Sequence, residues 1–259
     1  MLSYQHAFHA GNLADLHKHG ALSWALSYLT RKDKPVSYIE THAGRGVYDL
    51  RSEAALKTGE AAQGIEAHAA WFNDAHPMSR VATWCHAKFG PNSYPGSPAI
   101  AAHLLRGGDS LHLAELHPSE FAALRAQFGR LAKIYQSDGF ELAHGLTPPT
   151  PRRGLLLIDP PYEIKSDYDA IPRHIAKINR AWNVGVVMLW YPILTTAAHV
   201  GMVRAITSAH MDALHDEVRF PPARPGHGMI GSGLIVLNPP FGLDGELARL
   251  GKLFASLAR

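Results

Sequence analysis

Four consecutive apolar residues, Leu155-Leu156-Leu157-Ile158, stop abruptly at Asp159-Pro160-Pro161-Tyr162. A run with no polar alternation suits a strand covered on both faces, which demands a sheet with helices packed on either side. Pro160 and Pro161 lack an N–H and hold φ near about −65°, so strand pairing must end there and the chain leaves rigidly extended. The rest of the chain follows the same grammar. Residues 184–190 read as a second buried strand, and 36–40, 111–115 and 132–136 as shorter ones. Helices are predicted over 13–30, up to about 105, from Pro118 onward and over 195–208, with Asn12 and Asp15 supplying an N-cap and an acidic first turn. Strands alternating with helices imply an α/β fold built on a mostly parallel sheet with right-handed crossovers. Strands near 216–220 and 234–237 have no obvious helix between them, so they are expected as an antiparallel hairpin at one edge.

Residues 48–95 interrupt this rhythm. Ala-rich, helix-favouring segments at 52–57, 61–72 and 80–88, with Trp71, Phe72 and Trp84 available to pack together, predict a small helical insertion after the first strand. Residues 1–47 and 96–259 then make the main domain. A chain of 259 residues with 46% hydrophobic and 18% charged residues can bury a large core and is too apolar to be disordered. The 25 basic and 22 acidic residues leave a net charge of +3, which permits a polyanionic partner without requiring one. Cys85 is the sole cysteine, which excludes an intrachain disulfide framework and a multi-cysteine zinc site. Five of the 17 histidines, His6, His9, His17, His19 and His42, fall early in the chain. Their spacing lacks the i, i+4 pair of a zincin helix, so no metal is expected. With neither a signal-like apolar run nor a stretch of roughly 18 apolar residues, a soluble cytoplasmic protein without membrane contact is expected.

In an open α/β sheet the ligand lies beyond the carboxyl ends of the strands, which selects Thr41 to Gly46, Glu115, Asp138-Gly139, Asp159 to Tyr162 and Tyr191-Pro192. The glycine loop lets the backbone turn sharply and approach a ligand. Glu115, after the second strand, can accept two ribose hydroxyls, and Asp138-Gly139 can flank an adenine ring; either can equally be an ordinary turn. Asp159 and the Pro160 carbonyl are paired acceptors suited to an amino group, and Tyr162 offers a flat face to a base. Acceptors on both N–H groups of an exocyclic amine would make its nitrogen more nucleophilic. Asn238-Pro239-Pro240-Phe241 repeats this chemistry but lacks the carboxylate, so it is read as a structural turn and Asp159 as the site.

The order of glycine loop, acidic residue, Asp-Gly and Asp-Pro-Pro-Tyr resembles S-adenosylmethionine-dependent adenine N6-methyltransferases. More closely, the whole chain resembles the RlmJ family of bacterial 23S ribosomal RNA (adenine-N6)-methyltransferases. The matching stretches are Met1-Leu2-Ser3-Tyr4, Phe8-His9-Ala10-Gly11-Asn12 with Lys18-His19, Thr41-His42-Ala43-Gly44, Tyr94-Pro95-Gly96-Ser97-Pro98, Glu115-Leu116-His117-Pro118, Ile158 to Tyr162, Leu189-Trp190-Tyr191-Pro192 and Asn238-Pro239-Pro240. The resemblance implies a Rossmann-like class I methyltransferase fold that shares the helical insertion. It also implies methyl transfer to a specific adenine, position 2030 of that RNA. S-adenosylmethionine would be the cofactor, leaving as S-adenosylhomocysteine, and 23S RNA the partner of a monomer with no obligate protein partner.

By the same resemblance His19, His42, Gly44, Ser97, Glu115, Asp138, Gly139 and Asp159 would hold the cofactor. Asp159, Pro160 and Tyr162 would carry the chemistry. Tyr4 and His6, from an N-terminal arm of residues 1–11, would meet the RNA together with Lys18 and Tyr162. Lys18, Arg45, Arg152, Arg153 and Lys165 are candidate phosphate contacts. Arg45 stands between two glycines where the family has a small residue, so its side chain must point away from the cofactor or attract RNA. Three other readings stay open at this point: a DNA adenine N6-methyltransferase, a dinucleotide-dependent oxidoreductase and a noncatalytic RNA-binding protein.

Overall fold

The computed structural model describes residues 4–258, so Met1, Leu2 and Ser3 of the expected arm lie outside the described residues. A long first helix, α1 (Leu13–Leu29), precedes the first strand, β1 (Ser37–Glu40). The elements that follow are β2 (Val47–Asp49), α2 (Glu53–Thr58), α3 (Glu60–Gln63), α4 (Ile65–His68), α5 (Pro77–Phe89) and β3 (Ser93–Pro95). Next come α6 (Ser97–Leu104), β4 (Ser110–Ala114), α7 (Pro118–Phe128), β5 (Lys133–Tyr135), α8 (Gly139–Leu146) and β6 (Gly154–Ile158). The chain finishes with α9 (Asp167–Ala181), β7 (Val186–Leu194), α10 (Val200–Ala209), β8 (Leu214–Arg219), β9 (Met229–Leu237) and α11 (Leu243–Ala255).

Seven strands form one sheet in the order β5-β4-β1-β6-β7-β9-β8. The first five run parallel, and β9 is antiparallel to both β7 and β8, so the hairpin expected at the edge is present. The apolar run of β6 serves both faces. Leu155 and Leu157 join the core under α1, α6 and α11, whereas Leu156 and Ile158 join Ile171, Ile175 and Ile178 of α9 on the other side. All four are fully buried, which is why no polar alternation is tolerated in this stretch.

The chain winds outward from β1 through β4 to β5, then returns to β6 and continues the other way through β7. That reversal opens a crevice between the carboxyl ends of β1 and β6, where such sheets bind ligands. Gly139 tightens its rim, because a Cβ there would lie 1.9 Å from the Thr41 carbonyl oxygen. The insertion departs from expectation in two ways. Its two ends are tied by an antiparallel ladder, β2 with β3, which strands of three residues did not announce. The helix expected over 61–72 is broken at Gly64, whose missing side chain makes room for the Gly11 carbonyl 2.0 Å from where a Cβ would stand. Trp71, Phe72 and Trp84 share one hydrophobic core but pack on different partners: Trp71 meets Phe254, Phe72 lies against Gly20, and Trp84 turns to Phe89 and His103.

The two Pro-Pro corners fall on opposite rims, because β9 runs against β6. Asn238 Nδ2 donates to the carbonyls of Asn183 and Gly185 at 3.0 and 2.8 Å, and its φ of 51° is one that few residues other than glycine and asparagine adopt. The Asn238 corner is thus a turn clamp, as expected from sequence. Asn238→Ala loses both hydrogen bonds and strains the backbone, so unfolding in urea is expected to show a loss of about 1–2 kcal/mol, with Asn238→Gly losing less.

Candidate active site

A cavity of about 420 Å³ occupies the crevice at the carboxyl ends of β1, β4, β5 and β6. It is bordered by all the residues proposed from sequence for cofactor and base: Tyr4, His6, Lys18, His19, His42, Gly44, Ser97, Glu115, Asp138, Gly139, Asp159, Pro160 and Tyr162.

Asp159 follows β6 directly and lines this cavity. Its Oδ2 accepts from Lys18 Nζ at 2.6 Å, and the same ammonium lies 3.3 Å from Asp15 Oδ1 and 5.1 Å above the ring of Trp190. Lys18 is only 4% exposed, which rules against the surface phosphate contact expected for it. Burial alone would favour its neutral form, but Asp159 and Asp15 hold it above the usual lysine range. Asp15 in turn accepts from His6 Nε2 at 2.9 Å and from the Gly11 backbone N–H at 2.8 Å. Burial works against its charge, yet His6 and Lys18 hold it well below the usual carboxylate range. The Asn12 side chain, which accepts from the Asp15 N–H at 2.9 Å, fixes the helix start on which this cluster depends.

The arm arrives at the same cluster. Tyr4 Oη bonds His6 Nδ1 at 2.9 Å, and its ring stacks on His9 at 5.7 Å, so both proposed arm residues stand at the cavity mouth. Across the cavity, Glu115 accepts the backbone N–H groups of Gly44 and His117, both at 2.7 Å, and burial raises its pKa. Asp138 caps α8 through one oxygen, which accepts from Phe140 and Glu141 at 2.9 Å each. Burial pushes His19 down to about 3 and His42 down to about 4, so both imidazoles are neutral. His19 pairs with Tyr94 at 2.8 Å and His42 with Thr41 at 2.7 Å.

Several residues sit differently from expectation. Tyr162 is 9% exposed and has a φ of 54°; its hydroxyl donates to the Trp190 carbonyl at 2.7 Å while its ring packs on Tyr168 at 4.8 Å. It therefore presents part of its ring to the cavity, not a free face. Arg45 does not line the cavity and is held in a two-pronged pair with Glu120 at 2.6 and 2.9 Å. Arg152 and Arg153 precede β6, so they stand a strand's length from Asp159 on the opposite rim, where Arg153 bonds the Lys34 carbonyl. Lys165, three residues beyond Tyr162, is exposed.

Residues 33–258 match the family described as "Ribosomal RNA large subunit methyltransferase D, RlmJ". The chain belongs to the RlmJ family. Ribosomal RNA large subunit methyltransferase J of Escherichia coli K12 is 42% identical over 255 residues, covering 95% of this chain and 90% of that one. Its counterpart from Haemophilus influenzae is 36% identical over 259 residues, covering 96% and 92%. A crystal structure of a Legionella pneumophila protein superimposes with a TM-score of 0.85 at 33% identity, covering 96% of this chain and 94% of that one. The fold expected from the RlmJ resemblance, a Rossmann-like methyltransferase sheet, is the one observed. Among the described residues no group of three or more His, Cys, Asp or Glu is arranged to hold a metal ion, and no helix is long and apolar enough to cross a membrane.

Sequence reasoning missed Asp15, Glu40, Phe140 and Trp190. Asp15, Lys18 and His19 have the i, i+3, i+4 spacing of one helix face, a signal that was available. Glu40 was hidden because it reads as the end of a strand. Fully buried, it accepts from Tyr38 at 3.0 Å and from the Ser97 hydroxyl, and burial, with Asp159 nearby, pushes its carboxyl up to about 8. The folded chain therefore keeps a proton that the unfolded chain sheds near pH 4.5, and stability falls as pH rises from about 4.5 to about 8. Glu40→Gln removes this slope. Urea unfolding across that range should show wild type losing stability relative to the variant by up to about 1.4 kcal/mol per pH unit, and parallel profiles would refute the assignment.

Proposed function

We propose that this protein transfers a methyl group from S-adenosylmethionine to the exocyclic N6 of an adenine in 23S ribosomal RNA, the position-2030 adenine by family resemblance. The observation that carries the reading is the Asp159-Pro160-Pro161-Tyr162 corner at the tip of the central strand, facing a cavity whose far wall holds Glu115 and Asp138. Family membership supports ribosomal RNA methylation; the adenine nitrogen and its position rest on the corner's chemistry and the resemblance. The oxidoreductase reading loses its footing, because nothing in it calls for such a corner.

The residues fit the cofactor. The cavity volume lies in the range of about 300–1,000 Å³ usual for small-molecule sites. Two of the lone pairs on Glu115 are taken by backbone N–H groups, which leaves the others for a ribose diol. Asp138 Oδ1 caps α8, leaving Oδ2 for an adenine amine. His19, His42 and Ser97 also border the cavity and would be available to the methionine portion. When bound, S-adenosylmethionine supplies an electrophilic methyl group on a sulfonium. Everything else falls to the chain.

The target adenine must leave its stack, at a cost of a few kcal/mol. Tyr162 offers part of its ring to the flipped base, and Tyr4 and His6 close on it from the arm. Asp159 Oδ1 accepts one amine N–H while Oδ2 stays with Lys18, and the Pro160 carbonyl accepts the other. As the nitrogen gains its fourth bond it becomes strongly acidic, so Asp159 needs no special basicity to take the proton. Lys18 then acts by orienting Asp159, with the phosphate-contact role left to Lys165.

Methyl incorporation from labelled S-adenosylmethionine into deproteinised 23S RNA and duplex DNA tests the reading, followed by mapping of N6-methyladenine. Transfer to the RNA is expected, with Asp159→Ala lowering kcat/KM by about 10²–10⁴-fold and Asn238→Ala leaving the mapped product unchanged. Transfer only to DNA would defeat the substrate assignment. Full activity of Asp159→Ala would defeat the mechanism.

A further inference from the structure

Behind the cavity wall, Trp190 Nε1 donates to Ser232 Oγ at 2.9 Å, Ser232 Oγ lies 2.9 Å from His17 Nδ1, and His17 Nε2 lies 3.0 Å from Asp216 Oδ2. Four elements meet in this chain of bonds: β7, β9, α1 and β8. His17 and Ser232 are fully buried, whereas Asp216 is 24% exposed. None of the chemistry described above uses His17 or Ser232.

The direction of the bonds is set at both ends. An indole N–H can only donate and a carboxylate can only accept. Ser232 therefore receives the indole hydrogen and can turn its own hydroxyl hydrogen to His17 Nδ1, with the imidazole proton on Nε2 facing Asp216. A neutral histidine satisfies every partner. The bonded series ends on a cavity-lining ring that Lys18 covers at 5.1 Å and whose residue accepts the Tyr162 hydroxyl through its carbonyl at 2.7 Å. Trp190 thus touches Lys18 and Tyr162, two neighbours of Asp159, and its indole N–H is a polar anchor that holds the ring from behind.

We propose that His17 is a positioning residue for the target-base pocket, acting through Ser232 to fix the ring of Trp190. This rests on the methyl-transfer reading above and names a device within it. Its neighbour Lys18 orients Asp159 from the same helix turn, so α1 sets both the acidic corner and the aromatic wall beside it.

The test uses the full chain labelled with ¹⁵N. The five tryptophans give five indole N–H resonances, of which Trp190's is the one lost in Trp190→Phe, and Trp182's, bonded to the Arg152 carbonyl, is an internal reference. His17→Ala and Ser232→Ala are expected to shift the Trp190 resonance and leave that of Trp182 in place. Both should raise KM for 23S RNA about threefold to tenfold, the scale of one neutral hydrogen bond, with kcat and S-adenosylmethionine affinity within about twofold. His17→Asn, whose amide oxygen can accept from Ser232, should recover most of the loss. In a Trp190→Phe background His17→Ala should add no further loss in KM. An unmoved Trp190 resonance in either folded variant overturns the proposal, as does a full KM loss that persists without the indole. The resonance is read without RNA or methyl donor, so its failure counts against the positioning role alone, whereas a wild-type protein inert on RNA counts against the methyl-transfer reading.

Discussion

The buried contact between Lys18 and Asp159 is the interaction on which the arrangement of this site depends. Two opposite charges taken from water repay their desolvation only if the geometry is good and the remaining polar atoms are satisfied. Here the ammonium bridges Asp159 and Asp15 and is roofed by Trp190, while Asp15 takes further bonds from His6 and Gly11. Removing one partner from such a set would leave an unpaired buried charge, which costs about 3–5 kcal/mol. The cluster therefore couples the first helix, the tip of the central strand and the N-terminal arm into one unit. A shift in any of them would move the carboxylate that faces the cavity.

The first helix is consequently more than a layer of the sandwich. In one turn and a half it sends Asp15 and Lys18 into the ion cluster, His17 to the hairpin strands and His19 to Tyr94. An amphipathic helix would have spared one face for solvent; this one is buried along most of its length, which lets polar residues leave it in several directions and still find partners. The cost is that each must be satisfied inside the protein. His19 meets it by staying neutral; at the end of the first strand, His42 does the same and Glu40 keeps its proton.

Much of the architecture was legible because the relevant signals are local. The β6 run and its Pro-Pro stop, the glycine loop after β1 and the missing helix between β8 and β9 each follow from backbone chemistry within a few residues. The split of the insertion at Gly64 was not legible, since its cause is the carbonyl of Gly11, far away in sequence. The β2–β3 ladder was missed because strands of three residues carry too little periodicity. At the site, the residues that follow strands could be collected from the strand order alone. Their partners could not: Arg45 found Glu120, and Lys18 found Asp159, across long stretches of chain.

By itself the sequence determined which side chains could do chemistry and that they follow the carboxyl ends of parallel strands, because φ restriction, apolar runs and glycine turns act on neighbouring residues. It also separated the two Pro-Pro corners by the presence of a carboxylate in one. Only the tertiary structure decided that these corners lie on opposite rims, that Lys18 serves an aspartate and that Tyr162 is largely enclosed. Those outcomes depend on strand direction and on which charges are buried together, and both are properties of packing between distant segments.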